Sequence, residues 1–152
     1  MSTISLIRET RMNMKVIGYW TGTAVVAGEL LVGGVASLLH GRTMLVGKPL
    51  VGTMERLGYP VYLLTILGVW KPLGGIALLA PRFPRLKEWA YAGTFFEMTG
   101  AVASHAVCGD DVGAIWPLLF AVLTLTSWAL RPQSRTLGVL FPALDTQATN
   151  AG

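Results

Sequence analysis

Three ionisable side chains, Glu29, Lys71 and Glu97, stand inside long apolar stretches of this 152-residue chain. Charge at membrane depth is costly and is usually found facing a bundle interior or a water-filled cavity. A lysine between two carboxylates can do two kinds of work. It can latch helices together as a buried ion pair, or it can line a polar site that exchanges a proton or holds a small ligand. Both readings stand on the same residues. A second polar group, His40, Ser104, His105, Cys108, Asp110 and Asp111, gathers where two of the apolar stretches end. Histidine, carboxylate and thiol are metal-ligand types, but their spacing here matches no metal motif and no metal is assigned. A histidine beside aspartates also suits proton exchange near neutrality, so a cofactor-independent acid–base enzyme using Glu97 and His105 stays open. No nucleophile elbow, phosphate loop, dinucleotide fingerprint or His-Glu-x-x-His motif occurs, which disfavours the familiar hydrolases, nucleotide-driven transporters and zinc proteases.

The elements that must position these residues follow from composition. The chain is 53% hydrophobic and 13% charged, with a mean hydropathy of +0.56, whereas soluble domains carry about 25% charged residues. That balance excludes disorder, collagen and a basic nucleic-acid-binding domain. The single cysteine excludes an internal disulfide, a CxxC centre and a cysteine-rich metal or iron–sulfur site.

A helix needs about 20 apolar residues to cross a bilayer. Four stretches qualify, at about Val16–Leu39, Pro60–Ala80, Glu88–Cys108 and Val112–Leu130. With a rise of about 1.5 Å per residue, Glu29, Lys71 and Glu97 lie roughly 20, 15 and 14 Å from the cytoplasmic ends of their spans, in one layer near the bilayer centre. Pro72 is expected to kink the second span, which a bundle tolerates.

Lys and Arg counts set the orientation. Arg8, Arg11, Lys15, Arg82, Arg85, Lys87, Arg131 and Arg135 fall on one side, against Arg42, Lys48 and Arg56 on the other. Both termini are therefore expected in the cytoplasm, and the net charge of +4 is mostly this asymmetry plus an attraction to anionic lipid. The expectation is an all-α, integral-membrane four-helix bundle, up-down-up-down. Residues 1–15 form its cytoplasmic N-terminal tail, 16–130 its four-span domain and 131–152 its C-terminal tail. His40–Tyr59 reads either as a short amphipathic piece at the outer interface or as a plain loop.

Small residues recur at helical spacing in three spans: Gly18, Gly22 and Gly33; Gly68, Gly74 and Gly75; Gly93, Gly100 and Ser104. Close helix packing is their expected role. Interface anchoring or packing is expected of Trp20, Trp89, Trp116 and Trp128; Trp70, deep beside Lys71, reads first as core packing and otherwise as lining a pocket or stacking on a cation.

The stretch from Leu57 to Asp110, LGYPVYLLTILGVWKPLGGIALLAPRFPRLKEWAYAGTFFEMTGAVASHAVCGD, together with SWALRP at Ser127–Pro132, resembles the DoxX-like family of small four-span membrane proteins. The order LGYP, LG-x-x-K, PRLKEWAYAG, GA-x-x-SH and GD carries the likeness. The resemblance implies a bacterial inner-membrane protein coupled to quinone redox chemistry, since the family takes its name from a subunit associated with thiosulfate:quinone oxidoreductase. Many relatives have Asp where Glu97 stands, so the acid is kept with a longer reach here.

The leading expectation is an accessory, quinone-associated redox or stress-response subunit in which Lys71, Glu97 and His105 line an intrabundle site. Glu29, Ser104 and Asp110 are further ligand-binding or proton-relay candidates. The chain offers no haem or flavin motif, so a quinone is the one cofactor implied and a redox partner protein or second copy the implied company. The alternatives are a small transporter or lipid-binding protein with a buried proton relay, and a non-catalytic assembly factor in which Glu29, Lys71 and Glu97 are only a latch.

Overall fold

The computed structural model describes residues 3–39, 50–132 and 135–136. His40, Arg42, Lys48 and the last residues of the C-terminal tail lie outside them. The described residues form five helices and no strand: α1 (Thr3–Leu38), α2 (Leu50–Arg56), α3 (Tyr62–Leu79), α4 (Pro84–Val107) and α5 (Asp111–Ala129).

Neighbouring long helices run antiparallel. A Cβ on Gly68 would meet Leu38, one on Gly34 would meet Pro72, and one on Gly75 would meet Leu31 and the Ala27 carbonyl, so α1 numbers fall as α3 numbers climb. Likewise Gly22 of α1 abuts Ser127 of α5 and Gly18 abuts Leu130. Lys87 near the start of α4 reaches the end of α3, and Glu88 meets Trp128 at the end of α5. Helices α1, α3, α4 and α5 therefore close a ring. Its buried centre holds Val26, Leu30, Leu78 and Tyr91, with Ala90 and Leu123 packed against them.

Within lipid the hydrophobic effect does little to drive helix against helix, so close backbone approach supplies much of the cohesion. Glycine provides it at the α1–α3 seam, where a Cβ on Gly34 would come within 2.6 Å of Pro72 Cγ and one on Gly68 within 2.6 Å of Leu38 Cγ. The third glycine stripe behaves differently from the packing expectation. A Cβ on Gly93 or Gly100 would meet nothing within 4 Å, and both glycines are exposed.

Three helical segments are long and apolar enough to cross a membrane, Glu9–Leu38, Tyr62–Leu79 and Asp111–Ala129. Helix α4 has the length, at 24 residues, but Arg85, Lys87, Glu88 and Glu97 lower its hydropathy. Helix α1 is 36 residues, about 54 Å at 1.5 Å per residue, and does not break at the expected tail boundary near residue 15. In the connecting segment, Leu50–Arg56 is a short helix with no buried residue, which fits the interfacial reading of that part. Helix α3 continues through Pro72.

The turn from α3 to α4 is closed by a lysine. Lys87, 1% exposed, donates to the carbonyls of Ala77 at 3.1 Å and Leu78 at 2.8 Å and also to Ala80. These are carbonyls that a helix end leaves unpaired, at the negative pole of its dipole. Burial, with the positive Arg135 nearby, pushes the Lys87 ammonium down to about 8, so it is still charged at neutral pH.

Candidate functional site

Pairwise approach of α1, α3 and α4 brings the three ionisable residues of the apolar layer into contact. Lys71 Nζ of α3 donates to Glu29 Oε1 of α1 at 2.8 Å and lies 3.2 Å from Glu97 Oε1 of α4. Their side chains are only 13%, 18% and 24% exposed respectively, so these contacts are poorly screened by solvent. Gly33 makes the room. A Cβ there would stand 2.8 Å from Glu29 Oε1 and 3.5 Å from Lys71 Nζ. The second carboxylate oxygen of Glu29, Oε2, is buried and has no hydrogen-bond partner.

Beside this group lies a cleft of about 410 Å³ between α3 and α4, a volume within the range of small-molecule sites, roughly 300–1,000 Å³. Leu30, Leu67, Leu73, Leu86, Trp70 and Trp89 supply apolar wall, while Lys71, Glu97 and Thr94 supply its polar groups. Glu29 does not line it. Trp70 and Trp89 stand on the outside of the bundle, 68% and 80% exposed. Trp70 is thus a rim residue of the cleft, the pocket-lining alternative, and not the core residue first expected from its depth. An ammonium has three donors, and the two glutamates take two of Lys71's. The third is available to an oxygen of a molecule in the cleft.

His105 is not part of this cleft. It lies two helical turns beyond Glu97 on α4, where its Nδ1 is 3.0 Å from Asp110 Oδ2. Asp110 also caps α5, accepting from the Gly113 amide at 3.2 Å, and pairs with Arg56 at 2.5 Å. The His105 hydrogen bond is the largest influence on the Asp110 carboxyl; desolvation opposes it, and with the Gly113 amide and the Arg56 charge added the carboxyl is held below its ordinary range. Ser104 donates to the Gly100 carbonyl and accepts from the Tyr59 hydroxyl at 2.7 Å. These contacts clasp the segment around α2 onto the α4–α5 turn. Cys108 is exposed, and Asp111 sits in the first turn of α5, so neither completes a ligand set. Among the described residues no three His, Cys, Asp or Glu side chains gather as metal ligands would.

A buried hydroxyl cluster escaped sequence reasoning. Ser127 of α5 lies 2.7 Å from Thr23 Oγ1 of α1 and 2.9 Å from Tyr91 Oη of α4, all within the core. Arg131 stacks 5.2 Å above the Tyr91 ring and pairs with Glu88. Nearby, Arg135 stacks 4.5 Å over Trp20 and donates to Tyr19 Oη. Only the basic and aromatic residues at this end were conspicuous in the sequence, and they read equally well as membrane-border anchors.

The family model for the DoxX-like family matches residues 21–127, which include all of the layer, the cleft and the outer clasp. Neither the curated proteins nor the solved structures contain a match to the chain.

Proposed function

The chain belongs to the DoxX-like family and is a membrane protein, and from that premise we propose that it is a four-span bacterial inner-membrane protein with both termini in the cytoplasm, acting as an accessory, quinone-associated redox or stress-response subunit. In this reading α4 joins α1, α3 and α5 as the third of four spans, its Glu97 made tolerable by Lys71. The observation that carries the proposal is the donor left on Lys71 at the wall of an apolar cleft of about 410 Å³. A quinone presents carbonyl oxygens to such a donor and a flat apolar ring to Leu and Trp side chains. Electrons would come from a partner protein, because the quinone is the only redox group proposed here.

The test is native mass spectrometry of the detergent-purified protein, with solvent extraction of what is bound. A near-stoichiometric quinone in the wild type, lost from a folded Lys71→Met variant, supports the reading. Wild-type protein free of quinone, after purification in mild detergent with lipid retained, would sink it.

A second reading is a small transporter that uses the same layer as a proton relay, favoured by two carboxyl groups competing for one ammonium. It predicts that Glu97→Gln changes the pH dependence of solute flux in proteoliposomes.

A further inference from the structure

The two glutamates look alike in sequence but face different surroundings. Glu97 lines the cleft, whose rim residues Trp70 and Trp89 lie on the outer surface of the bundle. Glu29 is absent from the cleft wall, and its Oε2 is closed off from solvent. Its Oε1 holds Lys71 at the shorter of the two distances, 2.8 Å against 3.2 Å. Gly33 packs against that pair from the same helix. The charged groups facing Glu97 are Lys71 on α3 and Glu29 on α1, while α5 has no charged residue beyond Asp111 in its first turn.

We infer that the cleft is loaded sideways from the bilayer by an uncharged, membrane-soluble molecule bearing a hydrogen-bonding oxygen, that Glu97 is the carboxyl such a molecule meets, and that Glu29 is a positioning residue that fixes Lys71. This deepens the quinone reading by giving its route and its polar contact, and rests on it only for the identity of the occupant. The outer face of the bundle is the side that meets acyl chains, so a molecule dissolved in lipid reaches the cleft without crossing the helix ring. On arrival its oxygen takes the donor left on Lys71 and lies beside Glu97, since the Glu29 contact is the shorter and is sealed. One ammonium against two carboxylates leaves the layer one proton short of neutrality, and Glu97, the partner held less closely, is the carboxyl that faces the cleft.

A lipid-soluble carbodiimide, dicyclohexylcarbodiimide, reads this out whatever the natural occupant. A protonated carboxyl in an apolar site adds to the carbodiimide: its oxygen bonds to the central carbon and its proton passes to one nitrogen. Migration of the acyl group to nitrogen then leaves a stable N-acylurea, with nothing released. Membranes holding the full chain are treated at pH 6 and the adduct is located by peptide mass spectrometry.

The adduct is expected on Glu97 and not on Glu29, and a water-soluble carbodiimide should give several-fold less of it. Gly93→Leu, which adds bulk to the cleft wall at a position whose Cβ would meet nothing within 4 Å, should suppress it several-fold although Glu97 is intact. Glu29→Gln gives Lys71 a single carboxylate partner, so labelling of Glu97 should need lower pH. A purely structural Glu29 would leave that pH profile unmoved. An adduct on Glu29, no adduct on either residue, or equal labelling by the water-soluble reagent would each overturn the inference. Protection by a short-chain quinone supports the occupant as well. An adduct on Glu97 that no quinone blocks would overturn the quinone reading and leave lateral access standing.

Discussion

At the scale of single residues, the glycines of α1 separate three jobs that their spacing alone does not distinguish. Gly34 faces the rigid ring of Pro72, and a proline ring cannot swing aside. Gly34→Ala should therefore cost about 1–3 kcal/mol, the usual penalty of overpacking, seen as a lower Tm in detergent. Gly33 faces the flexible tip of Glu29, so Gly33→Ala should cost less stability but loosen the Glu29–Lys71 contact. Gly28 faces open space, and Gly28→Ala should be neutral or stabilising by up to about 1 kcal/mol through helix propensity. A melting series over the three variants checks the order, and a Gly28 variant as damaging as the Gly34 one would contradict it. The sequence made the Glu29–Lys71–Glu97 layer legible because the rise of a helix is fixed, so depth can be counted. The Thr23–Tyr91–Ser127 cluster was not legible. Its members sit on three helices at unrelated spacings, and hydroxyl residues in apolar helices often bond only their own backbone, as Thr94 and Thr124 do here.

At the scale of elements, the end of α3 depends on a side chain from α4. Lys87→Met removes the donor shared by three carbonyls and should lower stability by about 1–3 kcal/mol, the cost of leaving buried acceptors unpaired. The lysine also predicts a pH dependence. Its value near 8 in the folded protein lies below the ordinary 10.5, so between those values the unfolded chain binds more protons than the native one. Stability should rise with pH across that window, and the rise should be smaller in Lys87→Met. Thermal melts at about pH 7.5, 9 and 10.5, which span the window, measure it. A fall with pH in the wild type beyond that of the variant would contradict the sign. Helix boundaries were legible where Pro or Gly punctuates the chain, as at Pro60 and Gly109. Helix α4 instead starts at Pro84, four residues before the expected Glu88, because a proline at the first helical position opens a helix and basic residues extend it without adding hydropathy. The start of α1 was not legible either, because no Gly or Pro interrupts residues 3–17 and polar residues there continue a helix as readily as they form a tail.

At the scale of the whole molecule, the proposed orientation places Cys108 at the outer surface and the α3–α4 turn inside. A membrane-impermeant maleimide added to intact spheroplasts should label the exposed Cys108, whereas Arg82→Cys in a Cys108→Ser background should react only after lysis. The reverse pattern would invert the topology. The charged face of α4 has a consequence for how the protein is made. A helix bearing Glu97 at mid-membrane is a poor substrate for insertion on its own, and its compensating ammonium belongs to a helix synthesised earlier. In the proposed four-span arrangement biogenesis would be ordered: α1 and α3 would wait in the bilayer with Lys71 already held by Glu29, and α4 would leave the translocation machinery by exchanging that machinery's shelter for theirs.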